Sequence, residues 1–262
     1  MHGWGRRLGS ALLVALLAAL CVRLGYWQLD RWHQRRAANA VVTANARRPP
    51  VPVDTLLSPG TPLDRGMQWR RVTATGQYDA IHELLARDRP ADGRLGYHVL
   101  TPLVTPGGSA LLVDRGWVPF GATATSAPDV PPPPPGRVTV TGRIRASEPP
   151  GARGSRSDRA PAGQVIRIDL PAIGRQLPYP LYGGWVELTA QRPAASGPLP
   201  QPPPPPEVSD GPHLAYAVQW FLFAGIAVVG GGYLTWADAG SRRRRPRAVT
   251  GSGDEREPAR TG

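Results

Sequence analysis

The chain has 262 residues, which is enough for one sizeable domain plus membrane segments without a second full domain. Its formal net charge is +12, but all 31 basic residues are arginine, which is typical of a GC-rich genome. Since no basic face interleaved with aromatic residues accompanies this charge, we expect no nucleic-acid partner.

The sequence contains a single cysteine, Cys21, within an apolar run. One cysteine excludes an intrachain disulfide, a CxxC zinc pair and a CxxCH haem-attachment motif. No nucleophile elbow, phosphate-binding loop or dinucleotide fingerprint is present either. We therefore expect a protein that is not an enzyme.

Residues 8–29 form the first apolar segment, and the arginine-containing residues 1–7 precede it. About 20 mostly apolar residues span a bilayer, so this segment predicts transmembrane helix 1, with Arg23 reaching toward a headgroup. A cleaved signal peptide and a lipoprotein lipidated at Cys21 are the alternatives. The aromatic residues expected at the outer interface are Tyr26, Trp27 and Trp32.

Residues 213–236 form the second apolar segment, which has no charged residue and predicts transmembrane helix 2. A buried core helix is the alternative. Arginine-rich flanks stay on the cytoplasmic side, which places residues 1–7 and the basic, disordered tail 237–262 inside. Residues 30–212 are then extracytoplasmic. The arginines that follow the first helix oppose this orientation: Arg31, Arg35 and Arg36.

The segment between the two helices reads as a β-rich domain with proline-rich loops. Residues 33–48 continue the first helix, residues 49–66 are a loop, and residues 171–177 are a short helix. Short stretches bounded by Gly, Pro or Asp predict strands at 69–78, 81–87, 97–104, 110–118, 138–145, 165–170 and 182–188. The runs 131–135 and 202–206 predict stiff polyproline spacers.

These elements define an α+β membrane protein, in which two transmembrane helices flank an extracytoplasmic, mainly antiparallel β domain. The domain is expected to be a compact sheet or partial barrel. Two stripes of small residues predict close helix packing, one formed by Ala11, Ala15 and Ala19 and the other by Ala227 and Gly231. Three glycines are expected at turns or at positive φ, namely Gly76, Gly96 and Gly116.

Five stretches, in order, resemble the SURF1 family. Residues 24–31 (LGYWQLDR) resemble its GxWQLxR exit from the first helix, and residues 76–79 (GQYD) with 84–89 resemble its GxYD and the strand that follows. The remaining three are GYHVLTPL at 96–103, LLVDRGWVP at 111–119 and HLAYAVQWF at 213–221.

This resemblance implies an assembly factor for haem-copper cytochrome c oxidase in a bacterial plasma membrane. It further implies transient, non-covalent handling of haem a, with His213 as the ligand of the haem iron. The implied partners are the oxidase catalytic subunit, other oxidase assembly or haem a synthesis proteins, and membrane lipid.

The residues themselves place His213, Tyr216 and Trp220 on one face of the second helix. A neutral imidazole above an aromatic stripe suits a flat macrocycle, whereas the alternative is ordinary interfacial composition. His33 and His98 are weaker candidates for a second ligand, since each suits a surface or sheet position.

The motif residues are further candidates for partner contact. They are Trp27, Gln28, Tyr78, Tyr97, Arg115, Gly116 and Trp117. The alternative for Gln28 is a hydrogen bond across to the second helix, and the alternative for Asp114 and Arg115 is a local ion pair at a strand end. Two functions stay open: haem a delivery to the oxidase, and a cofactor-free scaffold that holds an oxidase subunit. A membrane-bound external enzyme is the third alternative, and the missing catalytic motifs disfavour it.

Overall fold

The computed structural model describes residues 2–121, 128–151 and 160–243. They divide into two compact units, a helical unit from the residues up to 36 and from 210 onward, and a β unit over residues 37–209. The helices are α1 (His2–Arg47), α2 (Leu170–Gly174) and α3 (His213–Arg243). The strands are β1 (Val51–Pro52), β2 (Arg71–Tyr78), β3 (Leu84–Ala91), β4 (Arg94–Val104), β5 (Ala110–Pro119), β6 (Arg137–Arg145), β7 (Gln164–Val165) and β8 (Trp185–Arg192).

Helices α1 and α3 are both long and apolar enough to cross a membrane, over Leu8–Arg47 and His213–Leu234. Helix α1 continues without a break to Arg47, which confirms the predicted helical extension over 33–48. Helix α3 begins at His213, where the Pro212 carbonyl accepts the first helical hydrogen bond from Tyr216 N. It includes residues 237–243, which the sequence assigned to the tail; residues 244–262 lie outside the described residues.

The two helices of the helical unit pack along a seam of small residues. Gly25 faces the Phe221 ring, and a methyl group on Gly231 would approach Val14 Cγ1 to 2.7 Å. Ala18 and Cys21 complete the α1 side, both buried. These positions recur every three or four residues, which keeps them on one side of a helix.

On α3, Gly231 of the predicted small-residue stripe lies in the seam and Ala227 is half-buried, whereas the predicted stripe on α1 is wrong. Ala11, Ala15 and Ala19 are exposed. The seam passes instead through the adjacent row of α1, because Gly25 within that row admits the bulky Phe221 ring.

Five strands of the β unit form a closed ring in the order β2–β6–β8–β5–β4, and β4 then pairs back with β2. The closing pairs are Gln77↔Val104 and Tyr78↔Leu103, antiparallel. Parallel pairs join β1 to β2, β3 to β7 and β5 to β8, whereas the longer ladders are antiparallel. The expected mainly antiparallel domain is thus a closed barrel.

Alternating side chains of the ring strands fill the barrel. The buried residues in this cluster include Val72, Ala74, Tyr78, Leu103, Leu111, Val113, Val138, Val140, Ile144 and Val186. Strand β5 is buried on both faces, because a second cluster packs beneath α2 on its outer side. Burial on both faces explains why the strand is apolar on both faces apart from Asp114 and Arg115.

Three predicted elements differ from the structure. Residues 81 and 82 lie in a 3-10 turn, and β3 begins only at Leu84. The expected strand at 165–170 is reduced to the Gln164–Val165 pair, since Asp169 caps α2 by accepting a hydrogen bond from Ala172 N. The predicted loop 49–66 contains β1 and two 3-10 turns.

Gly76 is the position at which ring closure is most sensitive to a side chain. A Cβ at this residue would lie 2.3 Å from the Val104 carbonyl oxygen on the partner strand. Gly76→Ala should therefore lower the free energy of unfolding by about 1–3 kcal/mol, because backbone must move to relieve the overlap.

The measurement is urea unfolding of the detergent-solubilised full chain, followed by near-ultraviolet circular dichroism. Gly107→Ala is the matched control, since the nearest atom to its Cβ is Thr105 Oγ1 at 3.8 Å. Equal stability of the two variants would contradict this account of closure.

Candidate functional site

His213 at the start of α3 is bonded to Gln28 on α1, within the helical unit. The His213 Nδ1 atom lies 2.9 Å from Gln28 Oε1. An amide oxygen only accepts hydrogen bonds, so the imidazole Nδ1 carries the proton and donates it. The sequence correctly predicted that Gln28 bonds across to the second helix.

This hydrogen bond leaves the other ring nitrogen, Nε2, as a lone-pair donor in the neutral imidazole. A Cβ on Gly211 would lie 3.5 Å from that nitrogen, so the absence of a side chain keeps this edge of the ring open. Gly211 also adopts a φ of +66°, a conformation that favours glycine. The arrangement fits an imidazole oriented to ligate a metal, since such ligands usually donate their second N–H to a fixed acceptor.

The aromatic residues predicted beside His213 divide between two environments. Tyr216 is 47 % exposed, whereas Trp220 is half-buried and packs edge-on against Phe223 with ring centroids 5.8 Å apart. Trp27 on α1 is also exposed. The structure thus brings His213 and Gln28 together and leaves the Tyr216 ring on the outer surface of the helix pair.

In the β unit, two of the five sequence motifs interlock through Gly96 and Trp117. A Cβ on Gly96 would lie 2.6 Å from the Trp117 indole, which is buried against the bare backbone. The indole Nε1 donates to the Arg89 carbonyl at 2.8 Å, which ties a third motif to the same place. Gly96 therefore provides space for an indole and is not a positive-φ turn residue.

Gly116 has a φ of +133° and a different close neighbour, Gln201. Trp117 and Gln201 exchange both backbone hydrogen bonds, at 2.7 and 2.8 Å. The segment that leaves β8 is therefore paired to β5 at this point. Of the three predicted glycines, only Gly116 has the expected positive φ, whereas Gly76 and Gly96 serve close approach.

Arg115 is buried and holds two distant segments. It donates to Glu83 Oε2 at 2.9 Å and to the Pro131 carbonyl at 2.8 Å. Thr101 donates to the same Glu83 oxygen, and the guanidinium lies over the Tyr78 ring at 5.9 Å. Burial raises the pKa of Tyr78, and the positive charge of Arg115 partly offsets this rise.

The predicted local ion pair between Asp114 and Arg115 is wrong, because neighbouring residues on a strand point to opposite faces. Asp114 is fully buried and accepts from His98 Nδ1 at 2.6 Å and from Gly116 N at 3.0 Å. His98 is accordingly a sheet residue that is engaged in the interior.

Four of the motif residues proposed for partner contact lie in the interior of the β unit. They are Tyr78, Tyr97, Arg115 and Trp117, none more than 8 % exposed. Contact between a partner and these side chains stays a prediction, and their burial leaves little surface for it. Their bonds join strands and loops of the barrel to one another.

A second buried arginine, Arg143, binds the other proline run. It donates to the carbonyls of Pro203 and Pro204, at 3.1 and 2.8 Å, and also pairs with Glu187. Burial raises the pKa of Glu187, against the opposing charges of Arg145 and Arg143. The polyproline segments are thus attached to the barrel, which the spacer interpretation did not anticipate.

Asp79 organises the turn over Ala80–His82. Its carboxylate accepts from the backbone of Ile81, from His82 Nδ1 at 2.7 Å and from the Tyr179 hydroxyl at 2.8 Å. The turn borders a cleft of about 690 Å³ beside the closing pair of strands, and it presents Ile81, which is 90 % exposed.

Sequence reasoning missed several residues of these networks, including Glu83, Arg89, Glu148 and Gln201. Arg89 forms a two-pronged ion pair with Glu148, at 2.8 and 3.0 Å. Such pairs join residues far apart in the chain, so no local pattern signals them. Among the described residues, no group of three His, Cys, Asp or Glu side chains could hold a metal ion.

The fold and these contacts define a class of protein in which two helices capable of spanning a membrane bracket one small closed barrel. Within that class, the SURF1 family model matches residues 15–225, and the chain belongs to the SURF1 family.

Curated relatives agree with this assignment. SURF1-like proteins of Mycobacterium tuberculosis and Mycobacterium bovis are each 36 % identical over 243 residues, which cover 92 % of this chain and 87 % of theirs. The cytochrome oxidase assembly protein SHY1 of Saccharomyces cerevisiae is 26 % identical over 117 residues, covering 43 % of this chain and 30 % of the yeast protein.

The Asp79 network makes a pH-dependent contribution to stability. Burial alone would raise the pKa of Asp79, but hydrogen bonds from His82, Tyr179 and the Ile81 backbone outweigh it and lower the pKa from its ordinary 3.8. The contribution is therefore present above pH 3.8 and is lost as the pH falls through the lower folded-state value.

Asp79→Asn should flatten the decline in unfolding free energy on acidification below pH 3.8, as measured by urea unfolding at a series of pH values. Asp129→Asn, which removes an exposed loop carboxyl, controls for the change in net charge. An unchanged acid slope in Asp79→Asn would show that the network does not stabilise the ionised carboxylate.

Proposed function

We propose that this protein is an assembly factor for haem-copper cytochrome c oxidase that holds haem a transiently through His213 and delivers it to, or retains it in, the catalytic subunit. Its membership of the SURF1 family and its similarity to the yeast oxidase assembly protein support the role in oxidase assembly. The observation that carries the haem role is the hydrogen bond from His213 Nδ1 to Gln28.

The chain's own residues would perform distinct tasks at this site. Gln28 fixes the ring orientation and holds the proton on Nδ1, so that Nε2 retains its lone pair. Gly211 keeps the ligating edge accessible, and the exposed face of Tyr216 with Trp220 offers aromatic surface. When bound, haem a supplies an iron that accepts an axial imidazole nitrogen and a flat apolar macrocycle.

A site of this kind suits transfer better than storage. Tyr216 is 47 % exposed, so a macrocycle against it keeps one side toward the surroundings. The described residues supply one histidine at this place and no cluster of further ligands. A single protein ligand on an open surface permits release to another protein.

The same proposal places the protein in a bacterial plasma membrane, with both termini cytoplasmic and the β unit outside. Two helices that are long and apolar enough to span a bilayer support this placement. The arginines at residues 6, 7, 242 and 243 flank the ends assigned to the cytoplasm. No catalytic role is part of the proposal.

A cofactor-free scaffold is the second candidate, and the Ile81 turn favours it. A large apolar side chain that is 90 % exposed on a turn fixed by several hydrogen bonds is suited to insertion into a partner. The cleft of about 690 Å³ beside it could accept a side chain in return. The partner on this account is an oxidase subunit.

The haem role is tested by the optical spectrum of detergent-purified full-length protein, made in cells that also synthesise haem a. We expect a haem a spectrum in the parent, its loss in His213→Ala, and roughly ten- to hundredfold weaker retention in Gln28→Leu, which removes the orienting acceptor. His33→Ala removes an exposed histidine of α1 and is the matched control.

Absence of haem from the parent, or equal retention in His213→Ala, would refute the haem role. Oxidase assembly measured in the same strains separates the two functions. Normal assembly with His213→Ala would favour the scaffold.

The scaffold role is tested with Ile81→Ser, which removes the exposed side chain and leaves the Asp79 hydrogen bonds in place. We expect co-purification with oxidase subunits to weaken by about 30-fold or more if Ile81 is a central contact, without loss of stability. Leu95→Ser, at a half-exposed site on β4, is the control. Unaltered co-purification would exclude this turn as the docking point.

A further inference from the structure

Four exposed residues of α1 form one continuous row: Arg23, Trp27, Arg31 and Arg35. They recur every four residues, and a step of four residues turns a helix by only about 40° beyond a full circle. The row is called the arginine ridge below. It has three guanidinium groups and one indole that is 52 % exposed.

The ridge begins on the side of α1 opposite to α3. Arg23 is two residues from both Cys21 and Gly25, which are buried in the seam with α3. Two residues turn a helix by about 200°, so Arg23 points away from the seam. In a bilayer this side of the helix meets lipid.

The guanidinium groups of the ridge have no counter-charge among the residues that the structure describes. Within the part of the chain that the structure describes, no carboxylate lies within ion-pair distance of Arg23, Arg31 or Arg35. Helix α3 supplies none at the depth of Arg23, because residues 214–236 are uncharged. An unpaired charge within an apolar segment requires a partner from outside the chain.

The position of the ridge along α1 favours a lipid phosphate over a protein carboxylate as its anionic partner. Arg23 lies within the apolar run, Trp27 is one turn further out, and Arg35 is about 18 Å from Arg23 along the helix axis. Indole side chains favour the headgroup level of a bilayer, which is also the level of lipid phosphates. A long arginine side chain reaches outward to that level, whereas a protein carboxylate beside Arg23 would itself have to be buried in hydrocarbon.

We propose that the arginine ridge is a binding site for an anionic phospholipid, with its phosphate between Arg23 and Arg31 beside Trp27, and with Arg35 adding attraction for a second negative charge. Guanidinium groups bind phosphate oxygens in a two-pronged geometry, which suits this assignment. The proposal rests on membrane insertion of α1 and is independent of haem. It also gives a role to Arg31 and Arg35, which lie after the first apolar segment and oppose the orientation predicted from the flanking arginines.

The test is native mass spectrometry of the full chain in detergent, made in cells without haem a and titrated with phosphatidylglycerol or with phosphatidylcholine. We expect the parent to prefer phosphatidylglycerol by about 25-fold, because its headgroup carries a net negative charge that phosphatidylcholine lacks and each of the two arginines beside that headgroup contributes about fivefold. The triple variant Arg23→Gln/Arg31→Gln/Arg35→Gln should lose this preference.

The matched control is Arg36→Gln/Arg47→Gln/Arg48→Gln, which removes the same charge from exposed positions outside the ridge. It should retain the preference. Equal binding of the two lipids by the parent, or an equal loss in both triple variants, would overturn the proposal. Displacement of the bound lipid by inorganic phosphate alone would overturn the lipid assignment.

An acidic protein partner gives a different result. In that case the ridge variant would keep its lipid preference but lose co-purification with oxidase subunits, and the lipid site would be rejected. Because this titration requires no haem, its failure would leave the His213 proposal untouched.

Discussion

The barrel depends on how closely two backbones approach at Gly76. Strand β2 can pair with the end of β4 only if nothing projects from this residue toward the Val104 carbonyl oxygen, and a Cβ there would lie 2.3 Å from it. Closure joins β2 and β4 into one ring and encloses the apolar side chains of all five strands. A closed ring also removes two exposed strand edges, which would otherwise pair with other chains.

The buried arginines supply hydrogen-bond donors to the carbonyl groups of the proline runs. A proline run has carbonyl acceptors but no N–H donors, whereas a guanidinium has five donors and no acceptor. Arg115 and Arg143 use this complementarity to hold Pro131 and Pro203 against the barrel. The charges are balanced by Glu83 and Glu187, so neither guanidinium is buried alone.

Local patterns predicted the elements of this fold well and its contacts poorly. The alternating stretch that ends at Tyr78 and the apolar run from Ala110 became β2 and β5, because periodicity and burial determine strands. The helix at His213 followed from length and apolar character. Short elements such as β1 depend on pairing with distant strands and have no signal of their own.

The candidate site was likewise predicted only in part. Resemblance indicated His213, and the expected bond across the helices by Gln28 was found. Composition could not show whether the α1 side of the seam passes through Ala15 or through Ala18, since the residues of both rows are small and apolar. The seam includes Ala18 because the Phe221 ring packs opposite Gly25, which lies in the same row. Arg115 looked like a surface contact because its partners, Glu83 and Pro131, are distant in sequence.

The attachment of the segment after β8 has a mechanical consequence. Gln201 is paired with Trp117 by two backbone hydrogen bonds, and Arg143 grips the carbonyls of Pro203 and Pro204. Tension transmitted along the chain from α3 therefore acts on these hydrogen bonds before it acts on β8. These bonds divide such a load between β5 and β6, so it would not fall first on β8, the last strand of the barrel.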